Sequence, residues 1–223
     1  PKLPAAAKTE NIWMYYGNPK AEKAEDAAGT YDVKQALVYH FENKDGPVRD
    51  QTAYGDNPSR DTAAFNPSAL IGGGVHFGGS QAITIPATPS LQLTPADGWT
   101  FSAWVKIDAA QKDAYLMSRE DGDNSLVMGI AGTDVYARLA KGKQGIQTPP
   151  GVSITPGAWH HLAMTAGQSG LIIYVDGAEA ASVPVTLSDL GGEITVGAAG
   201  DGSHGFNGDL DELQIAGLVR SAD

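Results

Sequence analysis

The sequence predicts an all-β protein, a two-sheet antiparallel β-sandwich of the jelly-roll kind, on three observations. Short stretches of strand character recur from about residue 36 onward. In the clearest of them, Trp99 to Ile107, the residues Phe101, Ala103, Val105 and Ile107 alternate with Thr100, Ser102 and Lys106, and only Trp104 breaks the polar series. This period of two marks a half-buried strand. Glycine at 28 of 223 residues and proline at 13 suit a chain that turns often, because glycine reaches positive φ and proline pre-sets turn geometry.

Taken in order, Ile12-Trp13-Met14-Tyr15-Tyr16 reads as an aromatic strand stopped by the turn signal Gly17-Asn18-Pro19. Lys20 to Gly29, rich in Ala, Glu and Lys, reads as a short helix or a linker. Strands are then expected at Ala36–Phe41, Gly74–Phe77, Ala82–Ile85, Trp99–Ile107, Tyr115–Ser118, Ser125–Ile130 and Asp134–Ala140. More follow at His160–Thr165, Leu171–Val175, Ala180–Val183, Ile194–Gly197 and Leu210–Ala216. Asp176-Gly177 between two of these is a hairpin signal. Residues 1–35 therefore read as the tail of a preceding domain or a linker, and 36–223 as one jelly-roll domain. The opening at Pro1 reads as a piece cut from a longer chain.

With 15 basic and 26 acidic residues the net charge is −11. That argues against nucleic acid, whose binding rests on Lys and Arg neutralising phosphates, and against insertion into or attraction to an anionic membrane. The absence of cysteine removes disulfides, thiolate zinc sites and thiol nucleophiles. No G-x-S-x-G elbow is present, and Gly72-Gly73-Gly74 lacks the lysine of a phosphate loop. The neighbours His160 and His161 project to opposite faces of a strand and do not chelate one ion together. One of them is expected to be buried and the other exposed. Trp99, Trp104 and Trp159 are expected in the core.

Four stretches, in this order, resemble the laminin-G-like, concanavalin A-like jelly-roll domains of bacterial extracytoplasmic proteins. They are Tyr39-His40-Phe41-Glu42 with Val48-Arg49-Asp50 and Asn57; Trp99-Thr100-Phe101-Ser102-Ala103-Trp104-Val105-Lys106; Trp159-His160-His161-Leu162-Ala163-Met164-Thr165 leading to Ile173-Tyr174-Val175-Asp176-Gly177; and Phe206-Asn207-Gly208-Asp209-Leu210-Asp211-Glu212-Leu213-Gln214-Ile215. The stretch Ile12 to Pro19 resembles the last strand of an uncharacterised domain that precedes such modules, as in certain large relatives of ExbB/TolQ-type proton-channel subunits.

The resemblance implies a structural Ca2+ that ties the first strand to the last, with Asp50 and Asp211 as carboxylate ligands, Asn57 from the following loop and Glu42 as a further ligand. It also implies a non-catalytic binding or adhesion module with a glycan as ligand, held on the concave sheet or the rim loops. The alternative partner is an envelope protein, the chain then acting as a structural or interaction domain of a transport assembly. Tyr54, Tyr115 and Tyr136, in or near loops, are the candidates for an exposed stacking platform. A divergent glycosidase would need facing carboxylates. Asp209 and Asp211 share a strand face, but Glu212 points away and the next same-face position is Leu213, so that set is incomplete.

Overall fold

The computed structural model describes residues 13, 16–20, 22, 26–42, 44, 46–150 and 152–221. The aromatic stretch at 12–16 and the run at 20–29 lie largely outside these. Within them, α1 (Ala27–Thr30) is a single turn in which the Asp26 side chain accepts from Gly29 N–H.

The strands are β1 (Gln35–Tyr39), β2 (Arg60–Asp61), β3 (Ala64–Asn66), β4 (Gly74–Gly78), β5 (Ile83–Ile85), β6 (Trp99–Ile107), β7 (Gln111–Asp121) and β8 (Asn124–Gly132). They continue with β9 (Asp134–Lys141), β10 (Gln144–Gln147), β11 (His160–Gly167), β12 (Gly170–Val175), β13 (Ala178–Val183), β14 (Ile194–Val196) and β15 (Asn207–Ala216). They form two antiparallel sheets. Sheet A runs β13-β12-β11-β6-β15-β4-β3, with β1 also on β15, and sheet B runs β10-β9-β8-β7-β14-β5-β2.

The core lies between the sheets because each strand turns its apolar set inward. From sheet A come Phe77, Trp99, Phe101, Val105, Leu162, Ile173, Leu213 and Ile215; from sheet B come Ile83, Met117, Leu126, Met128, Val135, Ala137 and Val196, all buried. The rings of Phe77 and Phe206 meet edge-on at 6.0 Å. The hairpin expected at Asp176-Gly177 joins β12 to β13 with φ of 50° and 81° at its two central residues. Both values are positive, as the two-residue turn that matches strand twist requires.

Irregularities at two points decide which side chains face out. In β15 the register slips between Asp211 and Gln214, with Glu212 at φ 50°. This bulge restarts the alternation, so Leu213 is buried in the core and Gln214, not Leu213, follows Asp211 on the outer face. The same bulge lets Glu212 reach His40 Nδ1, 2.7 Å away. In β7 the slip between Tyr115 and Met117 turns both Leu116 and Met117 inward and leaves Tyr115 and Ser118 facing out.

Two tryptophans depart from expectation. Trp99 is fully buried, but Trp104 and Trp159 are only half-buried. Trp104 packs edge-on against His161 at 5.4 Å, and Trp159 lies 5.0 Å beneath the Lys106 ammonium. Trp104 carries the outward phase of β6, in a sheet covered on one side only, and Trp159 lies just before β11. Nor do His160 and His161 divide into one buried and one exposed residue; both are half-buried. No helix among the described residues is long and apolar enough to cross a membrane.

Candidate functional site

The outer face of sheet B carries a continuous row of side chains. Gln147, Arg138, Val127, Ser118, Thr195, Thr84 and Arg60 are successive cross-strand partners from β10 to β2. Each comes from a different strand, and those of the five inner strands follow the outward phase of their own alternation. In β14 and β5 the pattern is compact: Thr195 stands between buried Ile194 and Val196, and Thr84 between buried Ile83 and Ile85.

Beside this row lies a cavity of about 340 Å³ lined by Thr84, Ser118, Glu120, Glu193, Thr195 and Gly200. Ser118 donates its hydroxyl to Ala198 O at 2.9 Å, leaving its lone pairs for the cavity. Thr195 is 6% exposed, and among the described residues its hydroxyl has no hydrogen-bond partner. Glu120 and Glu193 are both exposed. The register that pairs Ile194 with Arg119 sets them across from one another. Neither glutamate makes an ion pair or hydrogen bond to a described side chain. Two like charges facing each other without a counter-charge destabilise a sheet.

One end of the row is aromatic and cationic. The ring of Tyr136 crosses Gly129, the residue beside it on β8, where an added Cβ would lie 2.5 Å from Tyr136 Oη. Tyr115 stacks on His204 with ring centroids 4.1 Å apart and 4° between planes. The Arg138 guanidinium stands 5.3 Å from the Tyr115 ring and 5.9 Å from that of Tyr136, and it donates to Tyr115 Oη. Tyr136 donates to Asp113 Oδ1 at 2.5 Å. Burial, with Asp113 close by, pushes the Tyr136 phenol up, so it stays protonated.

Of the predicted platform residues, Tyr115 and Tyr136 belong to this site but are 6% and 3% exposed. They lie within long strands, covered by His204 and Arg138, and so form the site's support and not its surface. Tyr54, 46% exposed, lies apart from them. It lines a depression with Val33, Pro89 and Asp97, and its hydroxyl is given to Val33 O. The structure therefore does not bring the three together.

On sheet A, Asp209 and Asp211 do share the outer face, and each is already committed. Asp209 is ion-paired to Lys106 Nζ at 2.6 Å and to His76 Nδ1 at 2.9 Å. Burial pushes its carboxyl up, but Lys106 and His76 outweigh that and hold it below the usual carboxylate range. Asp211, fully buried, accepts from Ile71 N at 2.7 Å and from Glu212 N at 2.8 Å.

A model of the concanavalin A-like lectin/glucanases superfamily, Laminin_G_3, matches residues 77–223. The chain belongs to the Laminin_G_3 family. No curated protein matches the sequence. Among solved structures, domain 4 of AbnA, a GH43 extracellular arabinanase from Geobacillus stearothermophilus solved in complex with arabinotriose, is similar at 20% identity and a TM-score of 0.66, over 85% of this chain and 95% of that one. The binding domain of botulinum neurotoxin serotype G is similar at 16% identity and a TM-score of 0.67, over 84% of this chain and 49% of that one. The botulinum neurotoxin DC binding domain, solved in complex with SialylT, is similar at 13% identity and a TM-score of 0.62, over 85% of this chain. The chain spans about half the length of these toxin binding domains, 49% in both cases. These likenesses are of fold.

The residues that the Laminin_G_3 resemblance assigned to calcium do not fit one ion. Both oxygens of Asp50 are filled: Oδ1 accepts from Val38 N and Thr52 N, and Oδ2 from Thr52 Oγ1 and Asp56 N, between 2.7 and 3.0 Å. A carboxylate offers about four lone-pair sites, and all are occupied. Asn57 Oδ1 accepts from Asp50 N at 2.9 Å, and Glu42 is exposed. Asp211 gives its oxygens to Ile71 N and Glu212 N, and burial raises its carboxyl although Ile71 N–H opposes that. Asp50 and Asn57 together organise the turn after β1, and no described contact links them to Asp211.

Proposed function

We propose that this chain is a non-catalytic carbohydrate-binding module of an extracytoplasmic protein, holding a neutral oligosaccharide in the trough on the outer face of sheet B. The observation that carries the reading is the cavity in which unpaired Glu120 and Glu193 face each other beside Thr195, whose hydroxyl makes no hydrogen bond to a described residue. Carboxylates accept hydrogen bonds from sugar hydroxyls, the threonine hydroxyls donate or accept, and Arg138 and His204 flank one side. A uronate or sialate would meet the two glutamates with like charge, so the trough selects for uncharged sugars. The fold solved with arabinotriose supports a neutral glycan as the ligand class. Hydrolysis by paired carboxyls needs one of them enclosed so that it keeps its proton. Glu120 and Glu193 are both open to water.

The test is isothermal titration with neutral arabino-, gluco- and manno-oligosaccharides and with a uronate-containing control. At least one neutral series binds, Glu120→Gln/Glu193→Gln weakens it by about tenfold or more, and Thr195→Val weakens it further, each lost hydrogen bond to a charged group being worth roughly 1.5–3 kcal/mol. No reducing ends appear on long incubation. Binding untouched by these substitutions would move the ligand elsewhere, and no binding to any sugar would point to a protein partner.

A further inference from the structure

The opposite face of the sandwich carries a second, unrelated constellation. His76 on β4 and Lys106 on β6 are the two cross-strand partners of Asp209 on β15. Asp108 follows β6 directly, its backbone N–H bonded to Asn207 O at 3.3 Å. One ligand atom from each of His76, Asp108 and Asp209 lies within 4.8 Å of the other two.

We propose that His76, Asp108 and Asp209 form a binding site for a zinc-class divalent cation on sheet A. Around a tetrahedral ion with bonds of about 2.0–2.1 Å, neighbouring ligand atoms stand roughly 3.3 Å apart. His76 Nδ1 and Asp209 Oδ1 are already 2.9 Å apart. Asp108 is exposed, so a rotation of its side chain closes the third vertex and leaves the fourth to water. The main ligand is rigid: Asp209 is 4% exposed, and Lys106 anchors its other oxygen, Oδ2, at 2.6 Å. Lys106 is in turn held over the Trp159 ring. Hydrogen bonding to the far oxygen of a ligating carboxylate is how outer partners orient a metal ligand. The lysine repels a cation, but two carboxylates against one ammonium leave a net negative site.

The ion takes the place of the proton shared between His76 Nδ1 and Asp209 Oδ1, which leaves to solvent or resides on Nε2. One imidazole nitrogen with two carboxylate oxygens favours zinc-like ions over calcium, which takes oxygen alone. The other histidine–carboxylate pairs among the described residues, His40–Glu212, His160–Asp176 and His204–Asp113, bring one carboxylate each. The site is independent of the sugar reading, since it lies on the other sheet.

Titration calorimetry of the full chain with ZnCl2, with CaCl2 as control, tests it. One zinc binds per chain, calcium does not compete, and His76→Ala and Asp108→Asn each weaken zinc by about tenfold or more. Asp108→Asn changes an exposed residue and so keeps the fold, which separates loss of a ligand from loss of structure. Oligosaccharide binding by these variants stays at the wild-type level. No zinc binding, or zinc binding that both variants retain, overturns the proposal.

Discussion

His161 shows how one side chain couples the outer face of sheet A to pH. Its ring packs on Trp104, and burial pushes the imidazole below its usual range while Asp176 pulls the other way. A histidine with a lowered folded pKa contributes stability that is complete above about pH 6.5, the unfolded value, and is lost as pH falls through the folded one. Melting temperatures at pH 7.5 and 5.5 should therefore fall less in His161→Phe than in the wild type; equal falls would remove His161 from the account. The same scale explains which site residues could be read early. Asp50, Asn57 and Asp211 were visible as acids and an amide in family-like stretches, but hydrogen-bond saturation of a carboxylate is a property of chain folding and not of spacing. Tyr115 and Tyr136 were expected on an exposed platform and are buried, because the ring of His204, far off in sequence, stacks on Tyr115 and the Arg138 guanidinium stands by both rings.

At the scale of elements, period-two alternation located the interior strands, β6 to the residue, and the Asp176-Gly177 hairpin followed from its turn chemistry. The strands that escaped notice were β2, β3 and β10. Both residues of β2 and all four of β10 are exposed, and these two close the edges of sheet B, where no buried face imposes a pattern. The trough was illegible for a related reason: Thr84, Ser118 and Thr195 lie in three separate strands, and the row they form depends on registers among β5, β14 and β7. Gly129 offers a direct test of that face. An alanine there pushes its Cβ to 2.5 Å from Tyr136 Oη and 2.9 Å from Ala114 O. Overpacking of this kind costs about 1–3 kcal/mol. Urea denaturation of Gly129→Ala should show that loss without a change in m-value, whereas an unchanged midpoint would mean that Tyr136 swings clear of β8.

For the whole molecule, the fold class was evident because composition, turn residues and strand period agree, whereas the sheet order was not, since it depends on pairs such as Leu37 with Ile215. β15 pairs with β6 along one edge and with β4 and then β1 along the other. Among the described residues fourteen strands are synthesised before it, so until it leaves the ribosome β6, β4 and β1 share no neighbour and nascent sheet A exposes apolar edges. A chain arrested before residue 207 should consequently remain protease-sensitive, and a peptide spanning 207–216, supplied in trans, should restore resistance. Resistance in the arrested chain alone would show that the other strands close without it. Pairings of such long range also place refolding in the millisecond-to-second regime of slow β topologies. During translation, holding the unfinished sandwich apart from other chains falls to chaperones, or to the speed with which those last strand residues arrive.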